Sequence, residues 1–300
     1  MNKSLITVAA IVVIAVAGWS WNESRYYDAP TTPALNVIDA EGNVVGEYRP
    51  PLARDMLAEE KFDSIVYGMR LLNETSRLLP DNVGNGLNCN SCHMAQGKRP
   101  LGAPYINTIN DYPKFMPRAQ DVMNIQQRIN GCFRRSMNGI PIDESSVEMQ
   151  AMVDYMDWLR GDVEKGTRVD IQNMEYFKVG QFTPDPVRGE EVYVQQCAAC
   201  HGSDGEGMKD QFGDFIFPPL WGDESFNLGA GMARISRAAP FVLHNMPIGV
   251  SLNAPLGQIT ISKQDAIDVS AYFTVKPRPD FPDKIHDWPG VPKPPDFRAH

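Results

Sequence analysis

One five-residue pattern constrains this chain more than any other feature, and it occurs twice: Cys89-Asn90-Ser91-Cys92-His93 and Cys197-Ala198-Ala199-Cys200-His201. In Cys-x-x-Cys-His the two thiols reach the two vinyl groups of one haem as thioethers, and the adjacent His is held beneath the iron. Zinc is the competing reading of paired Cys-x-x-Cys units. Zinc does not require a His directly after the second Cys, and here it stands there both times. The expectation is two covalent haem c groups. Cys89, Cys92, Cys197 and Cys200 form the attachments, and His93 and His201 are the proximal ligands.

The chain between the motifs repeats a plan. A helix is expected from about Glu59 to Leu79, where Phe62, Ile65, Val66, Met69 and Leu72 give an i, i+3, i+4, i+7 stripe and Pro80 stops it. A second is expected from about Ala119 to Ile129. A third starts at Ser145, whose Ser-Ser-Val-Glu sequence has capping-box form, and ends at Gly161. Asp185-Pro186 suits the start of a helix that leads into Cys197. Short helices follow at about Ala233–His244 and Ser262–Val275. His93 precedes Trp158 by 65 residues and His201 precedes Tyr272 by 71. The fold class expected is all-α, with two cytochrome c-like domains over residues 45–165 and 180–277. A linker runs from about Gly161 to Thr183. The tail, residues 278–300, is expected to lie extended on the surface, because the seven prolines from Pro277 to His300, Pro277 included, prevent a regular helix.

Residues 1–28 read as an export segment. Lys3, an apolar run from Leu5 to Ile14 and the small-x-small Ala15-Val16-Ala17 fit a signal peptide. The run is shorter than the roughly 20 residues that span a bilayer. Both a cleaved signal and an uncleaved N-terminal membrane tether put the remainder outside the cytoplasm, in the periplasm. The net charge of −9 argues against nucleic acid as a partner. That charge is uneven: net +5 between Met94 and Gly139, and −4 between Val187 and Pro277. Five cysteines leave Cys132 outside the haem motifs, and an exported chain seldom carries a thiol without a use for it.

Residues 186–275 resemble a class I cytochrome c domain. The resemblance rests on Gly189, Cys197-x-x-Cys200-His201-Gly202, Pro218-Pro219-Leu220-x-Gly222 and Met246-Pro247. It implies a Pro carbonyl that accepts the His201 N–H, and a Met before Pro as distal ligand, here Met246. His244 is the rival two residues away, and Met232 is a poorer one. For the first haem, Met116-Pro117 lies 23 residues after His93 and Cys132 lies 39 after it.

The stretch Arg128-Ile129-Asn130-Gly131-Cys132-Phe133-Arg134-Arg135-Ser136-Met137-Asn138-Gly139, with the dihaem layout, is similar to the thiosulfate dehydrogenase (tetrathionate reductase) family of periplasmic cytochromes c. The resemblance covers most of the chain after the export segment. It implies Cys132 as distal ligand of an active-site haem, with Arg118, Arg128 and Ser136 around a bound anion. It also implies interconversion of two thiosulfates with tetrathionate and electron exchange with a partner cytochrome. Some members carry Lys immediately before the second distal Met; here Asn245 stands there, so ligand switching is not carried over. A local positive field is what a dianion needs from a protein of net −9. Arg128, Cys132 and Ser136 would share a helix face at their four-residue spacing, although Gly131 interrupts the pattern. Arg134 and Arg135 also suit plain solvated surface. Two other functions share the motifs: a dihaem electron carrier without catalysis, and a sulfur-oxidation haem subunit that acts on carrier-bound sulfur.

Overall fold

The computed structural model describes residues 34–248 and 261–298. The expected export segment, residues 1–28, lies outside the described residues. Among them no helix is long and apolar enough to cross a membrane.

Six helices carry the architecture: α1 (Phe62–Asn73), α2 (Ile125–Arg135), α3 (Val147–Arg160), α4 (Pro186–Gln196), α5 (Ile235–Asn245) and α6 (Lys263–Thr274). Their starts are fixed by local chemistry. Asp185 accepts the N–H groups of Val187 and Arg188 with Pro186 at the first helical position, and Ser262 accepts that of Asp265 at 3.0 Å. The cap of α3 is Ser146, which accepts from Met149 N–H at 3.1 Å. The sequence pattern suggested Ser145, but its hydroxyl and N–H both bond Asp143 instead.

α1 packs on α3 and α4 packs on α6, in the same way in both halves. Gly68 faces the Ala151 carbonyl so closely that a Cβ there would lie 1.9 Å from it and 3.0 Å from the Tyr155 Cβ. A Cβ on Gly189 would lie 2.0 Å from the Asp268 carbonyl and 3.0 Å from the Tyr272 Cβ. Both crossings need glycine because backbone meets backbone. They also make Tyr155, rather than Trp158, the structural counterpart of Tyr272. Met149, Met152, Tyr155 and Leu159 of α3 are fully buried. The apolar core runs without a break from these residues through Ile129 and Phe133 to α4, α5 and α6, so the two domains are welded together.

The all-α expectation holds for the architecture, with small strands added. β1 (Leu35–Ile38), β2 (Val44–Tyr48) and β5 (Arg168–Val169) form one sheet in the order β2-β1-β5, with Val37 opposite Val169. This sheet reaches beyond 45–165 on both sides and takes in part of the expected linker. β3 (Lys114–Met116) and β4 (Asp121–Met123) make a hairpin where the second helix was expected to begin. α2 therefore starts later, under a reciprocal Asn124–Gln127 cap, and it continues through Gly131. β6 (Met208–Lys209) pairs with β7 (Phe215–Phe217).

The tail differs from an extended surface strand. It turns through a short 3-10 helix at Pro282–His286 and bonds both domains. Trp288 N–H donates to the Arg118 carbonyl at 2.7 Å, and Asp296 accepts Ser236 N–H at 2.9 Å.

Candidate haem sites and the basic cavity between the domains

The second motif ends a single helical turn, Ala198–His201. His201 Nδ1 meets the Pro218 carbonyl at 2.8 Å, the contact implied by the class I resemblance. It leaves Nε2 free for iron and fixes the ring, as an outer hydrogen bond does for a ligating histidine. Burial holds the His201 imidazole below its usual value, which favours the neutral, ligating form. Met246 follows the last turn of α5 and is partly buried against the apolar core. His244 Nε2 is instead engaged by Glu175 at 3.2 Å. Asn245 is fully buried, and its amide donates to the Leu101 carbonyl of the first domain at 3.0 Å.

The first motif has the same device. His93 Nδ1 meets the Ala103 carbonyl at 2.7 Å. The ring stacks on Tyr105 with centroids 4.5 Å apart. The Cys89 and Cys92 thiols are not in disulfides, and burial pushes both up to about 12. Neutral sulfurs in an apolar cradle suit thioether formation, and a thioether keeps the acceptor that Thr75 Oγ1 now meets at 3.4 Å. The donor sets at both motifs therefore fit a haem c each.

Cys132 lies across from His93, close enough for its sulfur and the imidazole to hydrogen-bond. Helix α2 supplies the remaining partner: Arg128, one turn earlier, donates from Nη1 to Cys132 Sγ at 2.7 Å. Burial alone would push this thiol up; the Arg128 charge, with His93, outweighs it and brings Cys132 down to about 6. Arg128 is raised by the Cys132 charge and also bonds the Tyr112 phenol. Met116, the other distal candidate, ends β3 and accepts from the Tyr112 hydroxyl at 3.6 Å.

These groups open into a cavity of about 980 Å³ between the two domains and the tail. Ser136 caps the C-terminus of α2 and lines it. Arg118 also lines it, donating to the Gly229 carbonyl at 2.6 Å and lying 4.9 Å from the Trp288 ring centre. Burial, then neighbouring Arg234 and Arg135, push Arg118 down to about 9. Arg135 is not solvated surface: Asp287 accepts from both its terminal nitrogens, at 3.0 and 2.7 Å. Arg134 is exposed. Arg234 and Arg237 at the start of α5, and Asp287 and Trp288 in the tail, also line the cavity and carried no signal in the sequence. The first two sit in the acidic half, where an averaged charge hides them. The last two sit among the prolines.

The fold and the paired motifs define a two-domain c-type cytochrome. The SoxA/TsdA cytochrome c domain model matches residues 81–159 and the cytochrome c model matches 186–274. The thiosulfate dehydrogenase of Psychrobacter arcticus is 40% identical over 98% of this chain and 96% of its own. That of Allochromatium vinosum is 38% identical over 75% of this chain and 82% of its own. A solved thiosulfate dehydrogenase (TsdBA) from Marichromatium purpuratum, in its as-isolated form, is similar with a TM-score of 0.69 and 31% identity over 78% of this chain. This chain spans 50% of that one. The chain belongs to the thiosulfate dehydrogenase family and carries two covalently bound c-type haems.

Proposed function

We propose that this chain joins two thiosulfates through their sulfane sulfurs into tetrathionate, releasing two electrons, and that the same site runs the reverse reaction. With the haems bound, His93 and Cys132 would ligate the first iron, and His201 and Met246 the second. Cys89, Cys92, Cys197 and Cys200 hold the two macrocycles. The observation that carries this reading is Cys132: a thiol outside the haem motifs, facing the proximal His93 and held by Arg128 in a basic cavity. The names of the relatives support thiosulfate as the substrate.

A thiolate is the nucleophile of sulfur exchange. In the reducing direction the Cys132 sulfur attacks a central sulfur of tetrathionate. One S–S bond forms, the central S–S bond breaks, and one thiosulfate dianion leaves. A Cys132–S–SO3 adduct remains, and two electrons return it to thiolate and a second thiosulfate. The haems supply or accept those electrons one at a time when bound. Arg128 keeps the sulfur anionic; Arg118 and Ser136 orient sulfonate oxygens. At an intermediate dielectric each such charge pair contributes up to about 4 kcal/mol before desolvation. Electrons leave to a partner cytochrome, and the enzyme works in the periplasm, free or tethered.

Thiosulfate oxidation with ferricyanide, and tetrathionate reduction with a reduced viologen dye, test both directions. Cys132→Gly is expected to lower both rates at least ~100-fold while the spectrum of the second haem is unchanged. Full activity in this variant sinks the mechanism.

A further inference from the structure

Among the cavity's arginines, Arg237 is one that none of the roles above uses. Arg237 lies on the first turn of α5 and lines the same cavity as Cys132, Arg118 and Arg128. Those two arginines already have roles at the Cys132 end of the proposed site. Arg128 donates to Cys132, and Arg118 donates to the Gly229 carbonyl beside Asp287. Arg237 makes no ion pair among the described residues; its guanidinium lies against the face of Tyr176. Its neighbours are mostly of its own sign. Arg118 and Arg128 oppose its charge, and only Asp296 favours it. Burial, then these two arginines, push it down to about 9. A half-buried cation among cations is unfavourable unless an anion is meant to join it. Tyr176 holds the guanidinium plane by stacking and uses none of its forked donors.

The proposed chemistry asks for two anion sites. Tetrathionate has a sulfonate at each end, and two thiosulfates must approach sulfur to sulfur while their charges repel. Arg118, Arg128 and Ser136 line the cavity from the first-domain side, Arg128 and Ser136 each one helical turn from Cys132. Arg237 approaches from the second domain.

We propose that Arg237 forms a second sulfonate subsite, holding the thiosulfate, or the end of tetrathionate, that is not bonded to Cys132. This rests on the proposed reaction but is tested without it. The site is completed only when the second domain packs against the first, so that domain supplies a substrate contact as well as a haem.

The test is equilibrium binding to the oxidised holoenzyme, by calorimetry. The ligands are ethane-1,2-disulfonate, which has a sulfonate at each end and no S–S bond, and methanesulfonate, which has one. Arg237→Gln is expected to weaken disulfonate binding tenfold or more and methanesulfonate binding less than twofold. Arg237→Lys is expected to recover part of the loss. In turnover, Arg237→Gln raises KM for thiosulfate more than it lowers kcat. An equal loss for both ligands would mean that Arg237 acts only through the general field, and would overturn the subsite; so would no loss for either. Haem spectra and melting temperature of both variants confirm folding. If the wild type binds the disulfonate as expected but does not oxidise thiosulfate, the reaction is wrong and the subsite stands.

Discussion

Asp287→Asn probes how the tail holds the cavity. Asp287 is the carboxylate between two half-buried arginines: Arg135 donates to it at 3.0 and 2.7 Å, and Arg118 Nε lies 3.9 Å away. Its side chain is 7% exposed, against 21% for Arg135 and 23% for Arg118. Asn keeps the shape and removes the charge, so two guanidinium groups lose their counter-ion in a site that already holds Arg234 nearby. Removing one partner of a buried pair costs about 3–5 kcal/mol. Each arginine here stays about one-fifth exposed, so water offsets part of this, and about 2–3 kcal/mol is expected. That corresponds to a fall of about 5–10 °C in a calorimetric melt. The fall should persist in added salt, because buried pairs are screened weakly. A melting temperature within about 1 °C of wild type would show that the tail pairing contributes nothing to stability and refute its role as a strap. The same variant should bind ethane-1,2-disulfonate no more weakly than wild type, since it removes a negative charge from an anion site.

Two further outcomes follow from the helix crossings. Gly68→Ala forces a methyl against the Ala151 carbonyl, and overpacking of this kind destabilises by about 1–3 kcal/mol; chemical denaturation should show it, and an unchanged midpoint would mean the crossing opens freely. Asp154 is 6% exposed on α3 and accepts from Lys61 at 2.9 Å, Ser64 at 2.7 Å and Gln150 at 2.9 Å. Burial raises its pKa, but these hydrogen bonds together win and hold it below the usual carboxylate value. Its stabilisation is therefore present above the unfolded value of about 3.9 and is lost as pH falls through the depressed folded one. Asp154→Asn should lower the melting temperature at pH 7 and flatten its decline in acid. An unchanged acid slope would remove Asp154 from the α1–α3 link.

The haem motifs were legible because covalent attachment demands adjacent residues, so the whole requirement fits into five positions. Helix starts were legible for a similar reason: Asp185 and Ser262 act on N–H groups within three residues. Where two local bonds competed, sequence alone chose wrongly; Ser145 bonds Asp143 and leaves the cap to Ser146. The hairpin Lys114–Met123 replaced the first turns of an expected helix, because its cross-strand partners are set by pairing and not by period. Gly131 raised doubt about α2, yet the helix continues, since one glycine costs only about 1 kcal/mol and Ile129 and Phe133 bury against the core.

Two covalent haem sites, an unpaired Cys132 and a basic stretch around it are fixed by sequence, since each is a matter of residue type and short spacing. The meeting of Arg237, Asp287 and Trp288 around the cavity that Cys132 lines is not. These residues stand 105, 155 and 156 positions after Cys132, on a helix of the other domain and in a proline-rich tail. No local pattern records such a meeting; it exists only because the core is continuous and the tail bonds both domains.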